Sequence, residues 1–367
     1  LYNNMILINS WNNTNLNLNK KKYQPTLVYN YDKTTNLKTD FNDSKSVDYI
    51  HDLRRAAECH RIVRKHIQNI IKPGMRIFDI CNLIESKIVE LTKVNDHTAG
   101  IAFPTGVSLN NIIAHDSANP NDDRMFGHDD ICKIDFGVHY NGRIVDCAFS
   151  ATFNEKYKPL LLATKEATWT GIRLAGPDAI CNEISEQIKE TIESHEIELN
   201  NKTFSLKAVS DLGGHSIDQY NIHSGKIILC APCKHPSYVN MRMNVGQFAI
   251  ETFASTGTGT YKHGDVINHY MLNENAPRIN YNFKTTKYVH DWIKKNRGRL
   301  PFTQRWMIND PNIGQKFRLG LKELIEKKVI TGYPPLYDVS GSLSSHMEHT
   351  IYLHEHGKEI LSYGDDF

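Results

Sequence analysis

Asn141-Gly142 stands between two β-rich runs, 133–140 and 143–147, and constrains the fold more tightly than any other pair of residues in the chain. A two-residue Asn-Gly loop is the strongest short-range signal for a β-hairpin. Such a turn fixes the register. If Tyr140 pairs with Arg143, Asp135 falls opposite Ala148, and Asp146 becomes its diagonal neighbour on the same sheet face. Two carboxylates then converge among Ile134, Phe136, Val145 and Cys147. An unpaired carboxylate in those surroundings would cost several kcal/mol, so a positive group belongs between them. A divalent metal ion meets that need most economically.

The sequence around the hairpin runs helix, helix, strands, and then repeats. Leu53, Ala57, Val63, Ile67 and Ile70 recur at helical spacing up to Lys72-Pro73-Gly74, and Ile77, Ile80, Ile84, Ile88 and Leu91 carry a second helix. Strand-like sequence follows over 100–114 and 130–153. A helical stretch over 159–174, another through Ile180, Ile184, Ile188 and Ile192, and strands over 204–271 restate the order. Two similar halves of an α/β (α+β) protein are expected. With 367 residues, the chain holds either two modules or one large core with an insertion. The second reading fits: an Asn-rich tail or arm over 1–46, a main domain over 47–271, a helical insertion over 272–333 and short closing strands over 334–367. Within the insertion, helices are expected over 288–295 and 314–328.

Forty-three Lys plus Arg oppose 41 Asp plus Glu, a net charge of +2, which leaves no chain-wide attraction to nucleic acid or lipid. No run of about 18 apolar residues is present to span a bilayer. A membrane and a specific DNA site are therefore not expected among the partners. Seven cysteines without framework spacing, and no charged-then-apolar leader, favour reduced thiols and a cytoplasmic location. Cys230-Ala-Pro-Cys233 has no second Cys or His pair at a matching interval and reads as chance spacing. Charge balance fails only locally. Residues 285–330 hold eleven Lys plus Arg against four Asp plus Glu, interleaved with Tyr288, Trp292, Phe302, Trp306 and Phe317. That pattern is either a solvated charged face over an aromatic core or a contact for ribosomal RNA.

Three further placements join the aspartate pair. Asp211-Leu-Gly-Gly-His215 presents a histidine behind two glycines that allow close backbone approach. Glu251 sits inside the apolar run Phe248-Ala-Ile-Glu-Thr-Phe253, and Glu348 opens another in Met347-Glu-His-Thr-Ile-Tyr-Leu353. A lone acid in such a strand is ordinarily a surface position. Four acids and one glycine-flanked histidine together are a site: one imidazole and four carboxylates can hold two divalent ions about 3.5 to 4 Å apart. The oxygen-rich donor set leans towards Mn, Fe or Co and admits Zn. A hydroxide held between two such ions would be a nucleophile at neutral pH.

These five residues, their strand contexts and their order resemble the metal site of the methionine aminopeptidase family, the pita-bread fold. Phe103-Pro-Thr-Gly-Val-Ser-Leu-Asn-Asn111, Ala114-His115, Lys133-Ile-Asp-Phe-Gly137, Gly214-His-Ser216, Ala249-Ile-Glu-Thr-Phe253 and an insertion ending at Tyr333-Pro-Pro-Leu336 are similar to its type 2 branch. The resemblance runs from about His51 to the C-terminus. It implies pseudo-twofold halves around a curved antiparallel sheet, and an insertion resembling a winged helix. It also implies metal ligation by Asp135, Asp146, His215, Glu251 and Glu348, with Asp146 and Glu348 bridging. His115, His223 and Glu251 would act in catalysis, with Glu251 shuttling the proton. Phe103, Ile222, His269, Met271 and Tyr333 would line the methionine side-chain slot, flanked by His115 and His223. The function implied is co-translational removal of the initiator methionine from nascent chains with a small second residue, by a monomer. Two rivals remain: a catalytically silent pita-bread binding protein in translation, and another exopeptidase of the fold, such as an aminopeptidase P or prolidase.

Overall fold

The computed structural model describes residues 27–30, 47–308, 313–314, 317–355 and 357–366. Its organising unit is the expected hairpin. Strands Ile131–Tyr140 and Arg143–Thr152 pair from Tyr140↔Arg143 to Ile131↔Thr152, with Asp135 opposite Ala148 and Asp146 opposite Gly137. Asn141 and Gly142 both take positive φ, 49° and 74°, which the Asn-Gly turn tolerates and most residue pairs would not. Ala99–Ile101 and Gly106–Leu109 complete a four-stranded antiparallel sheet by pairing with Ile131–Tyr140.

A second antiparallel sheet carries the other half. Its central strands are Gly213–Ile217, Gly246–Ser255 and Ser344–Leu353, flanked by Ile227–Leu229 and Gly357–Ile360. Leu27–Asn30 adds an outer strand antiparallel to Gly357–Ile360. The rest of the arm expected over 1–46 lies outside the described residues. The expectation of short closing strands is corrected by Ser344–Leu353, ten residues long and buried at every position.

Helix pairs back the two sheets as the repeated order implied. Val47–Ile70 and Ile77–Thr92 bury Leu53, Val63, Ile67, Ile80, Ile84 and Ile88 against Ile134, Phe136, Val145 and Phe149 of the hairpin. Lys158–Leu174 and Cys181–Glu193 bury Leu160, Ile172, Ile184 and Ile188 against Phe248, Ile250 and Ile351. Each fully buried Ile or Phe contributes about 2 kcal/mol, and truncating one to Ala would cost about 2 to 5 kcal/mol.

Where the halves meet, Arg143–Thr152 and Ser344–Leu353 run side by side and are stitched by hydroxyls. Thr350 Oγ1 accepts from the Asp146 amide at 2.8 Å and donates to its carbonyl at 2.6 Å. Four residues away, Ser150 Oγ makes the same pair of bonds to His346, 2.8 Å from its amide nitrogen and 2.9 Å from its carbonyl oxygen. Midway between them, Cys147 Sγ donates to the Glu348 carbonyl at 3.0 Å. The seam thereby satisfies buried backbone groups that neither ladder reaches.

The insertion has its own small core. Helices Lys284–Asn296 and Phe317–Glu326 pack Val289, Ile293, Phe317, Leu321 and Leu324 around Phe302. Two of its basic residues point inward. Arg297 Nη2 donates to the carbonyls of Ile101 and Ala102 at 2.8 and 3.0 Å, and Arg305 pairs with Glu85. Part of the local positive charge therefore fastens the insertion to the body. Strands His269–Leu272 and Ile330–Tyr333 bracket the insertion and pair with each other, placing His269 opposite Tyr333.

Candidate metal centre

Glu251 and Glu348 stand directly opposite each other in the register of Gly246–Ser255 with Ser344–Leu353. Like charges facing across a strand pair repel, and here two more carboxylates join them. Asp135 and Asp146 arrive from the hairpin, their carboxyls abutting. His215 arrives on Gly213–Ile217, its Nε2 lying 3.7 Å from Asp146 Oδ2 and 3.7 Å from Glu251 Oε1. The glycines before it are required by space: a Cβ on Gly213 or Gly214 would collide with the carbonyl oxygen of Ile228 or Ala249. Without them the strand could not lie close enough to bring His215 to the acids.

Four buried carboxyls this close need positive charge between them, either protons or a cation. Burial pushes the Asp135 and Glu251 carboxyls up to about 7 and about 8. Burial also raises Asp146 and Glu348 well above the carboxylate range, reinforced by the charges of their acidic neighbours. Asp135 Oδ1, Asp146 Oδ1 and Glu348 Oε1 are buried with no hydrogen-bond partner. Native proteins rarely leave buried polar atoms orphaned, and oxygens aimed at a shared centre are what divalent ions bind. Ligand atoms of Asp146, His215 and Glu348 lie within 4.8 Å of one another, as do those of Glu251, His346 and Glu348. The donor set fits divalent metal.

His346 belongs to this cluster, and the sequence reading missed it. Its Nε2 sits 2.9 Å from Glu251 Oε2 and 4.0 Å from Glu348 Oε2. The signal was available, because strand alternation puts residues two apart on one face and so places His346 beside Glu348.

All twelve residues singled out from the sequence line one cavity of about 490 Å³. The four acids and His215 form its floor. Phe103, Ile222, His269, Met271 and Tyr333 form a mostly apolar wall, with His115 and His223 beside it. His115 lies 6.0 Å from the rings of both His269 and Tyr333, and His223 meets His215 edge-on at 4.4 Å. The backbone at His115 has φ +62°, a conformation that costs a non-glycine residue energy and is held by its surroundings. Burial lowers His115 to about 4 and His269 to about 3, so both imidazoles are neutral at pH 7. His269 Nε2 lies 3.0 Å from the Pro104 carbonyl, which fixes that ring in the wall. Asp211, Lys226 and Tyr238 also line the cavity and were not singled out from the sequence.

Residues 51–269 match the model of metallopeptidase family M24. Methionine aminopeptidase 2 of Clavispora lusitaniae is 41% identical over 349 residues, which cover 94% of this chain and 78% of that protein. Among solved structures, a thermophilic Arx1 superposes with a TM-score of 0.70 at 17% identity, covering 86% of this chain and 91% of its own. A methionine aminopeptidase from Thermotoga maritima superposes with a TM-score of 0.57 at 20% identity, covering 87% of this chain and 98% of its own. Those two likenesses establish the pita-bread α/β fold. The chain belongs to metallopeptidase family M24 and, within it, to the methionine aminopeptidase 2 enzymes, which use divalent metal to remove the N-terminal methionine.

Proposed function

We propose that this enzyme releases the initiator methionine from nascent chains with a small second residue, using two divalent ions held by Asp135, Asp146, His215, Glu251 and Glu348. The observation that carries this reading is the convergence of four raised-pKa carboxyls and one imidazole at the end of an apolar slot. Mn, Fe or Co suits the oxygen-rich set, with Zn also admissible. When bound, the ions supply Lewis acidity and make water nucleophilic near neutral pH.

The protein's own groups do the rest. Glu251, the acid beside His215 on the cavity floor, would take the proton from the attacking water and pass it to the leaving amine. His223, exposed on the cavity wall next to His215, donates a hydrogen bond to the carbonyl oxygen as negative charge grows there. His115 orients the scissile amide, and its neutrality leaves it able both to donate and to accept. The slot formed by Phe103, Ile222, His269, Met271 and Tyr333 takes an unbranched thioether and excludes water. Every ligand comes from one chain, so a monomer suffices. Among the described residues no helix is long and apolar enough to cross a membrane.

The test is a peptide panel with metal-stripped protein reconstituted with Mn or Co. Methionine release from Met-Ala peptides and none from Xaa-Pro peptides is expected. Release from the Xaa-Pro set, or no release with either metal, overturns the proposal.

A further inference from the structure

Glu251 offers its two oxygens to different neighbours. Oε1 faces the cavity, 3.7 Å from His215 Nε2, while Oε2 lies 2.9 Å from His346 Nε2. His346 is only 2% exposed in its side chain and is not among the residues lining the cavity, so it stands behind the carboxylate and away from substrate. It is also held firmly. Its ring stacks on Phe253 with centroids 4.0 Å apart and planes at 18°, and its amide and carbonyl are both bonded to the Ser150 hydroxyl. A clamped imidazole N–H against one carboxylate oxygen is a device for aiming the other oxygen.

We propose that His346 is a positioning residue for the metal: its Nε2–H ties down Glu251 Oε2, so that Oε1 alone is presented to the cation. This rests on the reading of Glu251 as a ligand. A carboxylate free to rotate about its terminal bond can bind through either oxygen or both, and ordering it is a cost that binding must meet. The hydrogen bond meets that cost in advance. Outer hydrogen bonds of this kind change metal affinity by about 10- to 100-fold. The competing arrangement has His346 itself as a ligand with Glu251 and Glu348. Against it stand the hydrogen-bonding length of the Nε2–Oε2 contact and the 4.0 Å to Glu348 Oε2.

The experiment compares full-length wild type, His346→Phe and His346→Gln, each stripped of metal and titrated with Mn²⁺ by calorimetry. Phe keeps the ring that stacks on Phe253 and removes the donor; Gln restores an N–H donor without the ring. Folding of each variant is checked by circular dichroism and thermal unfolding. The expected result is Mn²⁺ binding weakened about 10- to 100-fold in the Phe variant and largely recovered in the Gln variant. Equal affinity in wild type and a folded Phe variant overturns the proposal. Pulsed electron paramagnetic resonance of the Mn²⁺-loaded wild type supplies an independent arm. One coupled imidazole nitrogen, that of His215, supports positioning; two would make His346 a ligand and overturn it. A wild type that binds no Mn²⁺ removes the ligand reading of Glu251 instead, an outcome distinct from the others.

Discussion

The Asp146 main chain and the Thr350 hydroxyl exchange two hydrogen bonds, the amide donating to Oγ1 at 2.8 Å and Oγ1 donating to the carbonyl at 2.6 Å. The bond pair sits at a residue proposed to hold metal, so the junction of the halves and the proposed centre share one support. Thr350→Val keeps the shape and strands both backbone groups. Destabilisation of about 1 to 3 kcal/mol is expected in urea unfolding, with weaker Mn²⁺ binding, whereas Thr350→Ser stays near wild type.

Metal removal has a signed dependence on pH. The Asp135 carboxyl is raised to about 7 in the metal-free fold, from an ordinary value of 3.8. Its contribution to metal-free stability is present below pH 3.8 and is lost as pH rises through 7. Glu251, Asp146 and Glu348 are raised too, and add in the same direction. Stripped protein therefore loses melting temperature between pH 5 and 8, and the gap to loaded protein widens. Ion binding at pH 7 must then release protons. Calorimetry in two buffers of different ionisation enthalpy reads that release; identical heats would contradict it.

His115→Asn tests catalysis apart from folding. Asn tolerates the positive φ of 62° that His115 adopts, so the backbone has little reason to shift. Methionine release should fall by about 10² to 10³ in kcat, with metal content by elemental analysis unchanged.

A different histidine governs acid tolerance. His139 is fully buried on the hairpin, its Nδ1 accepting from the Gly142 amide at 3.3 Å, and burial first, then Arg297, lowers it to about 3. Its unfolded value is near 6.5, so the unfolded chain binds the extra proton, and stability present above 6.5 is lost as pH falls towards 3. Each such histidine steepens the loss by up to about 1.4 kcal/mol per pH unit. His139→Gln should flatten the curve between pH 6 and 4, measured by urea unfolding at each pH.

The hairpin and the four backing helices were legible because their signals are local: an Asn-Gly turn, and isoleucines recurring at turn spacing. The facing of Glu251 on Glu348 was not, since it depends on two strands about a hundred residues apart finding one register. The sequence shows an apolar run only over 347–353, and the polar residues Ser344, Ser345 and His346 that extend this strand are consumed by neighbours. Ser345 Oγ donates to the Leu160 carbonyl at 2.7 Å, and His349 Nδ1 lies 2.8 Å from Ser362 Oγ. His346 went unnoticed for the same reason, hidden among polar residues that only tertiary contacts explain.

The bond from Arg297 to the Ala102 carbonyl ends one residue before Phe103, while His269 and Tyr333 form the insertion's own stem. The proposed methionine slot is thus gripped from two directions by an element that contributes none of the five proposed ligands. If the proposed slot holds, a shift of that element by even a fraction of an ångström would change the slot's width, and with it which first residue is accepted.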